Sequence, residues 1–334
     1  MSYNVAVIGA TGNVGHEILS LLAEREFKVK DMHVIASSAS IGKEVSFGEV
    51  DILKIRPIDE VDFSKIDIAF FAAGSAVSKH YGEKIAKNNC VIIDKSSYFR
   101  LRVGVPLIIP EVNEEVLASY KDTNIIASPN CIVIPLLVAL KPLEDFACIK
   151  RIVISTYQAV SGAGKSAMDE LYNQTKSIYT YKDLQFNNFD KQIAFNIIPL
   201  IDKIRPDGYS QEEWKIAAEV KKILGSEIEI SVTCVRVPVF VGHSISVNIE
   251  FEEELTRDKA IEILNNSEGI SCSAKEDYVT PVEIAREDLV YVSRIREDKS
   301  VKHGLNLFIC CDNLRKGAAL NAVQIAEKLT KNYL

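Results

Sequence analysis

The chain has few cysteines, and none is spaced for a metal site or a disulfide framework. There are seven thiols in 334 residues, an odd number, with no CxxC pair and no Cys/His pairing at zinc-ligand spacing. No signal peptide precedes the first apolar strand, so a reducing cytoplasm is the expected compartment. No run approaches the roughly 20 apolar residues of a membrane-spanning helix. Clusters of Lys and Arg are missing, and the formal net charge is −7. Both argue against nucleic acid or an anionic membrane surface as a partner and leave room for a local basic pocket that takes a phosphorylated small molecule. Neither internal repeats nor low-complexity segments interrupt the chain. The composition is that of a globular protein, 47% hydrophobic and 25% charged, and the length suits two domains.

The first positive signal lies at the N-terminus. Asn4-Val5-Ala6-Val7-Ile8 reads as a short buried strand, Gly9-Ala10-Thr11-Gly12-Asn13-Val14-Gly15 as a glycine turn, and the segment from His16 to Leu22 as a helix with Ile18, Leu19, Leu21 and Leu22 at helical spacing. The G-x-x-G-x-x-G spacing is a variant of the dinucleotide fingerprint. Missing side chains there let backbone amides and a helix terminus approach a pyrophosphate. The next strand, His33-Val34-Ile35-Ala36, leads into Ser37-Ser38-Ala39-Ser40 with Lys43 behind. No acid stands where an NAD site usually holds the ribose 2′-OH, which favours the 2′-phosphate of NADP.

Alternation continues through a strand from Ile66 that ends at Gly74 and Ser75, a helix over 77–88 and a strand Cys90-Val91-Ile92-Ile93-Asp94. This is βαβ architecture. Ligands of doubly wound sheets sit beyond the carboxyl ends of the strands, so Gly12, Gly74, Ser96, Ser97 and Cys131 could share one crevice.

Cys131 follows Ser128-Pro129-Asn130, where Ile125-Ile126-Ala127 gives way to a second apolar run from Ile132 to Leu137. Pro129 biases Ser128 away from helical dihedrals, and Asn130 is expected to cap a helix that starts at the thiol. A helix N-terminus lowers a thiol pKa towards thiolate, the form that attacks a carbonyl. A thiol packed under the turn is the commoner state, so placement alone leaves both readings open. Cys90, Cys148, Cys234, Cys272, Cys310 and Cys311 lie in or beside apolar segments and read as core.

Near residue 150 the character changes. Residues 151–158, 228–237 and 244–251 are long, partly alternating strands of the kind found in an antiparallel sheet with one exposed face. The segment 313–334 has helical spacing and could pack back on the first domain. The expected fold is α/β: an N-terminal Rossmann-like NADP-binding domain, residues 1–130 plus 313–334, and an α+β catalytic and dimerisation domain with a mainly antiparallel sheet, residues 131–312.

Five ordered segments carry a family resemblance: Gly9–Gly15, Ser128–Cys131, Tyr157-Gln158-Ala159-Val160-Ser161-Gly162-Ala163-Gly164, Arg236-Val237-Pro238-Val239-Phe240-Val241-Gly242-His243, and Asp312-Asn313-Leu314-Arg315-Lys316-Gly317-Ala318-Ala319. Over essentially its whole length the chain resembles the bacterial aspartate-semialdehyde dehydrogenases. The resemblance implies NADP-dependent interconversion of aspartyl phosphate and aspartate semialdehyde, on the branch towards lysine, diaminopimelate, threonine and methionine. It implies that Cys131 attacks the semialdehyde carbonyl, His243 takes the proton, hydride passes to the nicotinamide and phosphate cleaves the thioester. A thiolate is a good nucleophile and a thioester a good acyl donor, and an imidazole suits proton transfer near neutrality.

The same resemblance assigns Gln158 to positioning the substrate and Arg236 to clamping its α-carboxylate. Arg100, Asn130 and Lys222 fall to the phosphate, and Glu219 to the amino group. The cofactor falls to Gly9, Thr11, Gly12, Asn13, Val14, Ser37, Ser38, Ala39, Ser40, Gly74, Ser161, Gly162 and Asn321, with Asn321 on the nicotinamide amide. Many relatives have an arginine where Ala39 stands, so Ser37, Ser38, Ser40 or Lys43 would have to serve the 2′-phosphate. No metal is expected, and a homodimer or homotetramer is. Two other readings use part of this pattern. N-acetylglutamyl-phosphate reductases share the thioester logic but need no carboxylate like Glu219, and the 157–164 segment argues against them. A nucleotide-sensing Rossmann regulator would need neither Cys131 nor His243.

Overall fold

Val5-Ala6-Val7-Ile8, Ile68-Ala69-Phe70-Phe71 and Val91-Ile92-Ile93 lack any polar alternation, as strands buried on both faces do. The computed structural model describes residues 1–48, 51–225, 227–273 and 277–334, and it places these three runs in the middle of a parallel sheet. The chain separates into two compact units, residues 1–130 with 318–334 and residues 131–317. The return to the first unit thus falls at 318 rather than 313.

In the first unit, β1 (Tyr3–Ile8), α1 (Asn13–Glu24), β2 (Val29–Ile35), a hairpin of β3 (Glu44–Phe47) and β4 (Asp51–Lys54), β5 (Ile68–Phe71), α2 (Ser75–Ala86), β6 (Val91–Asp94), the short α3 (Pro110–Asn113) and β7 (Ile125–Ala127) follow in order. The sheet runs β2-β1-β5-β6-β7, with every pair parallel. Strand order reverses between β1 and β5, the switch point where such sheets hold ligands. Helix α2 spans Ser75–Ala86 rather than 77–88, because Gly74, at φ +86°, turns the chain straight into the helix.

The second unit opens with α4 (Val133–Glu144), whose residues Val133 to Leu140 are all buried. Such a helix is apolar all round because other elements surround it. It packs against α6 (Gln211–Leu224), α7 (Arg257–Asn265) and two strands. The sheet has six strands: β8 (Ile149–Gln158), β9 (Glu229–Arg236), β10 (His243–Phe251), β11 (Ile270–Cys272), β12 (Val290–Glu297) and β13 (Gly304–Cys311), in the order β11-β12-β13-β10-β8-β9. Pairs β12/β13, β13/β10 and β10/β8 are antiparallel, whereas β8/β9 and β11/β12 are parallel. The parallel β8/β9 pair is possible because the connection holds α5 (Lys165–Tyr179) and α6, long enough to return the chain to the same end.

The terminal helix α8 (Asn321–Asn332) belongs to the first unit. Its stripe of Ala322, Val323, Ile325, Ala326 and Leu329 is fully buried in the same cluster as Ile18, Leu22, Phe70 and Ile93. A bidentate Arg25–Glu327 pair, at 2.7 and 2.8 Å, and Lys328–Glu114, at 2.6 Å, hold its outer face. Two expectations about cysteine need correction. Cys148 is exposed, since it lies in the connection between α4 and β8, and Cys272 is only half-buried; Cys90, Cys234, Cys310 and Cys311 are buried.

Candidate active site

In the first unit the glycine turn closes the switch point. Gly9 has φ +91°, and a Cβ there would sit 2.6 Å from the Ala72 carbonyl oxygen; a Cβ on Gly15 would sit 2.1 Å from that of Gly9. Only glycine permits this contact between turn, strand end and helix. Gly12 occupies the N-cap position of α1 with no side-chain cap, and Asn13 and Val14 open the helix, so its first amides face outward without a competing carboxylate. Beyond β2, Ser37, Ser38 and Ala39 are exposed and Ser40 is 8% exposed, its Oγ 3.5 Å from Thr11 Oγ1. Gly74 faces open space at the start of α2.

Asn321 is wholly buried. Its Nδ2 donates to the Ile108 carbonyl at 3.0 Å and to Ser128 Oγ at 2.8 Å, which orients the amide, while Oδ1 has no partner. A buried acceptor left open in this way fits a ligand amide, and with the uncapped α1 and the two glycine turns these residues suit a dinucleotide. Arg100 is buried, donating from Nε to the Ser128 carbonyl at 3.0 Å and from Nη2 to the Lys95 carbonyl at 2.8 Å. Beside it Asp94 is wholly buried and accepts from Ser78 and from both the amide and hydroxyl of Ser96; burial pushes its pKa up. Asn130 is 5% exposed.

In the second unit, the sheet places the ends of three strands side by side. Gln158 and Arg236 are register partners at the ends of β8 and β9, and His243 begins β10 opposite Cys311. All three are buried. Gln158 Oε1 accepts from Thr156 Oγ1 at 3.1 Å, and Arg236 Nη1 donates to the Ala159 carbonyl at 2.8 Å. A Cβ on Gly162 would lie 3.3 Å from both Arg236 Nη1 and His243 Nε2, so the loop backbone lies directly against both groups.

Cys131 is half-buried in the turn that leads into α4. The helix begins at Val133 and its N-cap position is Ile132, with no side-chain cap. Asn130 is therefore not at the N-cap position that the sequence suggested, because the turn after Pro129 runs two residues further before the helix begins. Cys131 still lies just ahead of the positive end of a twelve-residue helix. Burial lowers the Arg236 pKa, and a charged Cys131 opposes that by raising it. The guanidinium and a thiolate stabilise each other. Gly317 packs against the Cys131 backbone: a Cβ there would come 3.1 Å from its carbonyl oxygen.

His243 is held by one bond. The Ala159 amide donates to Nδ1 at 3.0 Å, and Nε2 is buried without a partner. A nitrogen that accepts an N–H carries a lone pair, so the proton of the neutral ring resides on Nε2. Burial, and then the Arg236 charge, hold the imidazole pKa well below its ordinary value. Both favour the neutral ring.

Asn313 is a residue that sequence reasoning left without a role. It is 2% exposed, and its Oδ1 accepts from the Gly242 amide at 2.9 Å and from the Ser161 hydroxyl at 3.2 Å, while Nδ2 lies 2.9 Å from that hydroxyl. It ties the loop carrying Gly162 to the residue before His243. Asp312 accepts from the amides of Arg286, Leu314 and Arg315, and Lys316 is almost wholly buried. On α6, Glu219 is buried whereas Lys222 is exposed as a residue; desolvation nevertheless lowers the Lys222 pKa, with Glu219 opposing. Among the described residues no group of His, Cys, Asp and Glu could hold a metal ion, and no helix is long and apolar enough to cross a membrane.

A parallel nucleotide-type sheet joined in one chain to a mixed sheet bearing a Cys, Arg, Gln and His constellation defines the class: a nucleotide-dependent oxidoreductase that works through cysteine. The particular family follows from comparison. Residues 4–120 match the family model described as semialdehyde dehydrogenase, NAD binding domain, and residues 140–316 that described as semialdehyde dehydrogenase, dimerisation domain. The aspartate-semialdehyde dehydrogenase of Rickettsia bellii is 56% identical over 99% of both chains, and that of Aquifex aeolicus 46% over all of both. A crystal structure of aspartate semialdehyde dehydrogenase II from Vibrio cholerae superposes with a TM-score of 0.98 at 42% identity, covering all of both chains; the same enzyme has been solved complexed with ASA. The chain belongs to the aspartate-semialdehyde dehydrogenase family.

Proposed function

We propose that this protein catalyses the reversible reductive dephosphorylation of L-4-aspartyl phosphate to L-aspartate 4-semialdehyde and phosphate, with NADP as cofactor and an acyl-thioester on Cys131. The observation that carries this is that Gly162 lies against both Arg236 Nη1 and His243 Nε2, a buried nitrogen with no partner, with Cys131 acting on the Arg236 charge. The ASA complex of the Vibrio cholerae relative supports the substrate. The step belongs to the synthesis of lysine, diaminopimelate, threonine and methionine.

In the oxidative direction the Cys131 thiolate adds to the aldehyde carbon, and the oxygen becomes an alkoxide that accepts from His243 Nε2–H. When hydride leaves that carbon the C=O re-forms as a thioester, so no proton need move in this step. Phosphate then displaces Cys131 as thiolate. The resemblance gives His243 a proton-transfer role; the Ala159 amide on Nδ1 supports hydrogen-bond donation from Nε2 in this step, and the pH profile of kcat distinguishes the two. Arg236 and Gln158 hold the substrate, Glu219 meets its amino group, and Arg100, Asn130 and Lys222 serve the phosphate.

The cofactor supplies the hydride acceptor. Gly9, Thr11, Gly12, Asn13, Val14, Ser37, Ser38, Ala39, Ser40, Gly74, Ser161, Gly162 and Asn321 are the residues that would hold it. NADP is favoured over NAD because the loop after β2 offers hydroxyls and Lys43 but no acid. Exposed Tyr179, Tyr181, Phe195, Ile197 and Ile204 in the second unit support assembly into a homodimer or homotetramer, and the location proposed is cytoplasmic. The test is phosphate-dependent NADP⁺ reduction with aspartate semialdehyde, with NAD⁺ in parallel. Wild type should be active and Cys131→Ala inactive; an inactive wild type that still binds NADP⁺ would overturn the assignment.

A further inference from the structure

Lys95 follows Asp94 at the carboxyl end of β6. Its ammonium donates to Ser128 Oγ at 3.0 Å and to the Pro129 carbonyl at 3.2 Å. The same Ser128 oxygen accepts from Asn321 Nδ2 at 2.8 Å. With two donors already on it, that hydroxyl has only its own proton left to offer a ligand. Asn321 cannot be reversed, since its Nδ2 also serves the Ile108 carbonyl, and so Oδ1 remains a buried acceptor without a donor. A spare hydroxyl proton beside a spare carbonyl oxygen complements a primary carboxamide, and a lysine charge stands one hydrogen bond away.

We propose that Lys95 is a specificity-determining residue that biases the enzyme towards the reduced cofactor. The inference rests on the reading of Asn321 as the residue that takes the nicotinamide amide. The oxidised ring carries a positive charge and the reduced ring none, while the phosphates of the two forms are alike. A fixed ammonium behind the amide-binding groups therefore disfavours the oxidised form only, and its general attraction for phosphates cancels in the ratio of the two affinities. Partly screened by surrounding protein, one such charge is worth about three- to tenfold in that ratio. The bias suits the reductive direction, in which NADPH must bind and NADP⁺ must leave.

The experiment is titration of NADPH by its fluorescence and of NADP⁺ by competition, on wild type, Lys95→Met, Lys95→Gln and Lys95→Arg. In the Met and Gln variants the ratio Kd(NADP⁺)/Kd(NADPH) should fall about three- to tenfold, and in the Arg variant it should stay near wild type. The Gln variant can still donate to Ser128 and Pro129, so it reports on charge if Lys95→Met does not fold. An unchanged ratio in the neutral variants overturns the proposal, including the case where both affinities weaken equally or only the KM for phosphate rises. A wild type that binds neither form refutes the cofactor reading itself, a result distinct from an unchanged ratio.

Discussion

The backbone amide of Ala159 donates to His243 Nδ1 at 3.0 Å, and that bond decides which face of the imidazole can do chemistry. It leaves Nε2, buried and without a partner, as the nitrogen that meets the substrate, and burial favours the neutral ring. If the ring donates to the alkoxide as proposed, replacing it removes that donor, a loss of about 10²–10³ in kcat for such groups. His243→Ala should show this loss, and His243→Gln, which can still present an N–H, a smaller one. The kcat profile of wild type should show no acid limb near the ordinary histidine pKa; a limb there that vanishes in His243→Gln would restore the proton-acceptor role.

The same histidine contributes to the loss of stability in acid. Its folded pKa lies below the unfolded value of about 6.5. Above that pH neither state holds the proton and the group contributes nothing to the pH dependence. Below it the unfolded chain gains a proton that the folded chain refuses, so stability falls as pH falls, by up to about 1.4 kcal/mol per unit. Urea unfolding at pH 7.5 and 5.5 should show a steeper loss for wild type than for His243→Gln.

Gly162 sets the spacing of the site. A methyl at this position would press on both Arg236 and His243 from 3.3 Å. Gly162→Ala should lower kcat/KM about tenfold or more through misplacement, with a melting temperature close to wild type. An unaffected kcat/KM would mean that the two side chains yield without consequence.

Asn313 clamps two loops through the Gly242 amide and the Ser161 hydroxyl. Asn313→Ala strands both groups and should cost about 2–6 kcal/mol at roughly 1–3 kcal/mol per buried orphan, read by chemical denaturation together with a drop in kcat.

Gly15→Ala tests the glycine turn. Its Cβ would lie 2.1 Å from the Gly9 carbonyl oxygen, backbone against backbone, where neither side can yield. The variant should lose about 3 kcal/mol or more and should not bind NADPH.

Much of this was legible in the sequence because it is local. The glycine turn, the buried strands and the thiol ahead of an apolar run all occupy short windows with a physical signature. Helix α4 started later than Asn130 suggested because the cap rule does not say how many residues the Pro129 turn consumes. The parallel β8/β9 pair was hidden because strand patterning records which face is buried and not which neighbour is chosen. Asn313 and Lys95 lay beyond reach for the same reason: Asn313 meets Ser161 across 152 positions and Lys95 meets Ser128 across 33. Cys148 was misread because an apolar stretch spanning a helix end and a strand start includes the exposed connection between them.

The central claim is a thioester on Cys131 that phosphate resolves. The most direct test mixes enzyme with aspartate semialdehyde and NADP⁺ in the absence of phosphate, following NADPH by stopped flow and the protein by intact mass spectrometry. The account predicts a burst of NADPH equal to the active sites, with an aspartyl adduct mapped to Cys131 that disappears when phosphate is added and never forms in Cys131→Ala. NADPH formed without an adduct, or an adduct indifferent to phosphate, would contradict it.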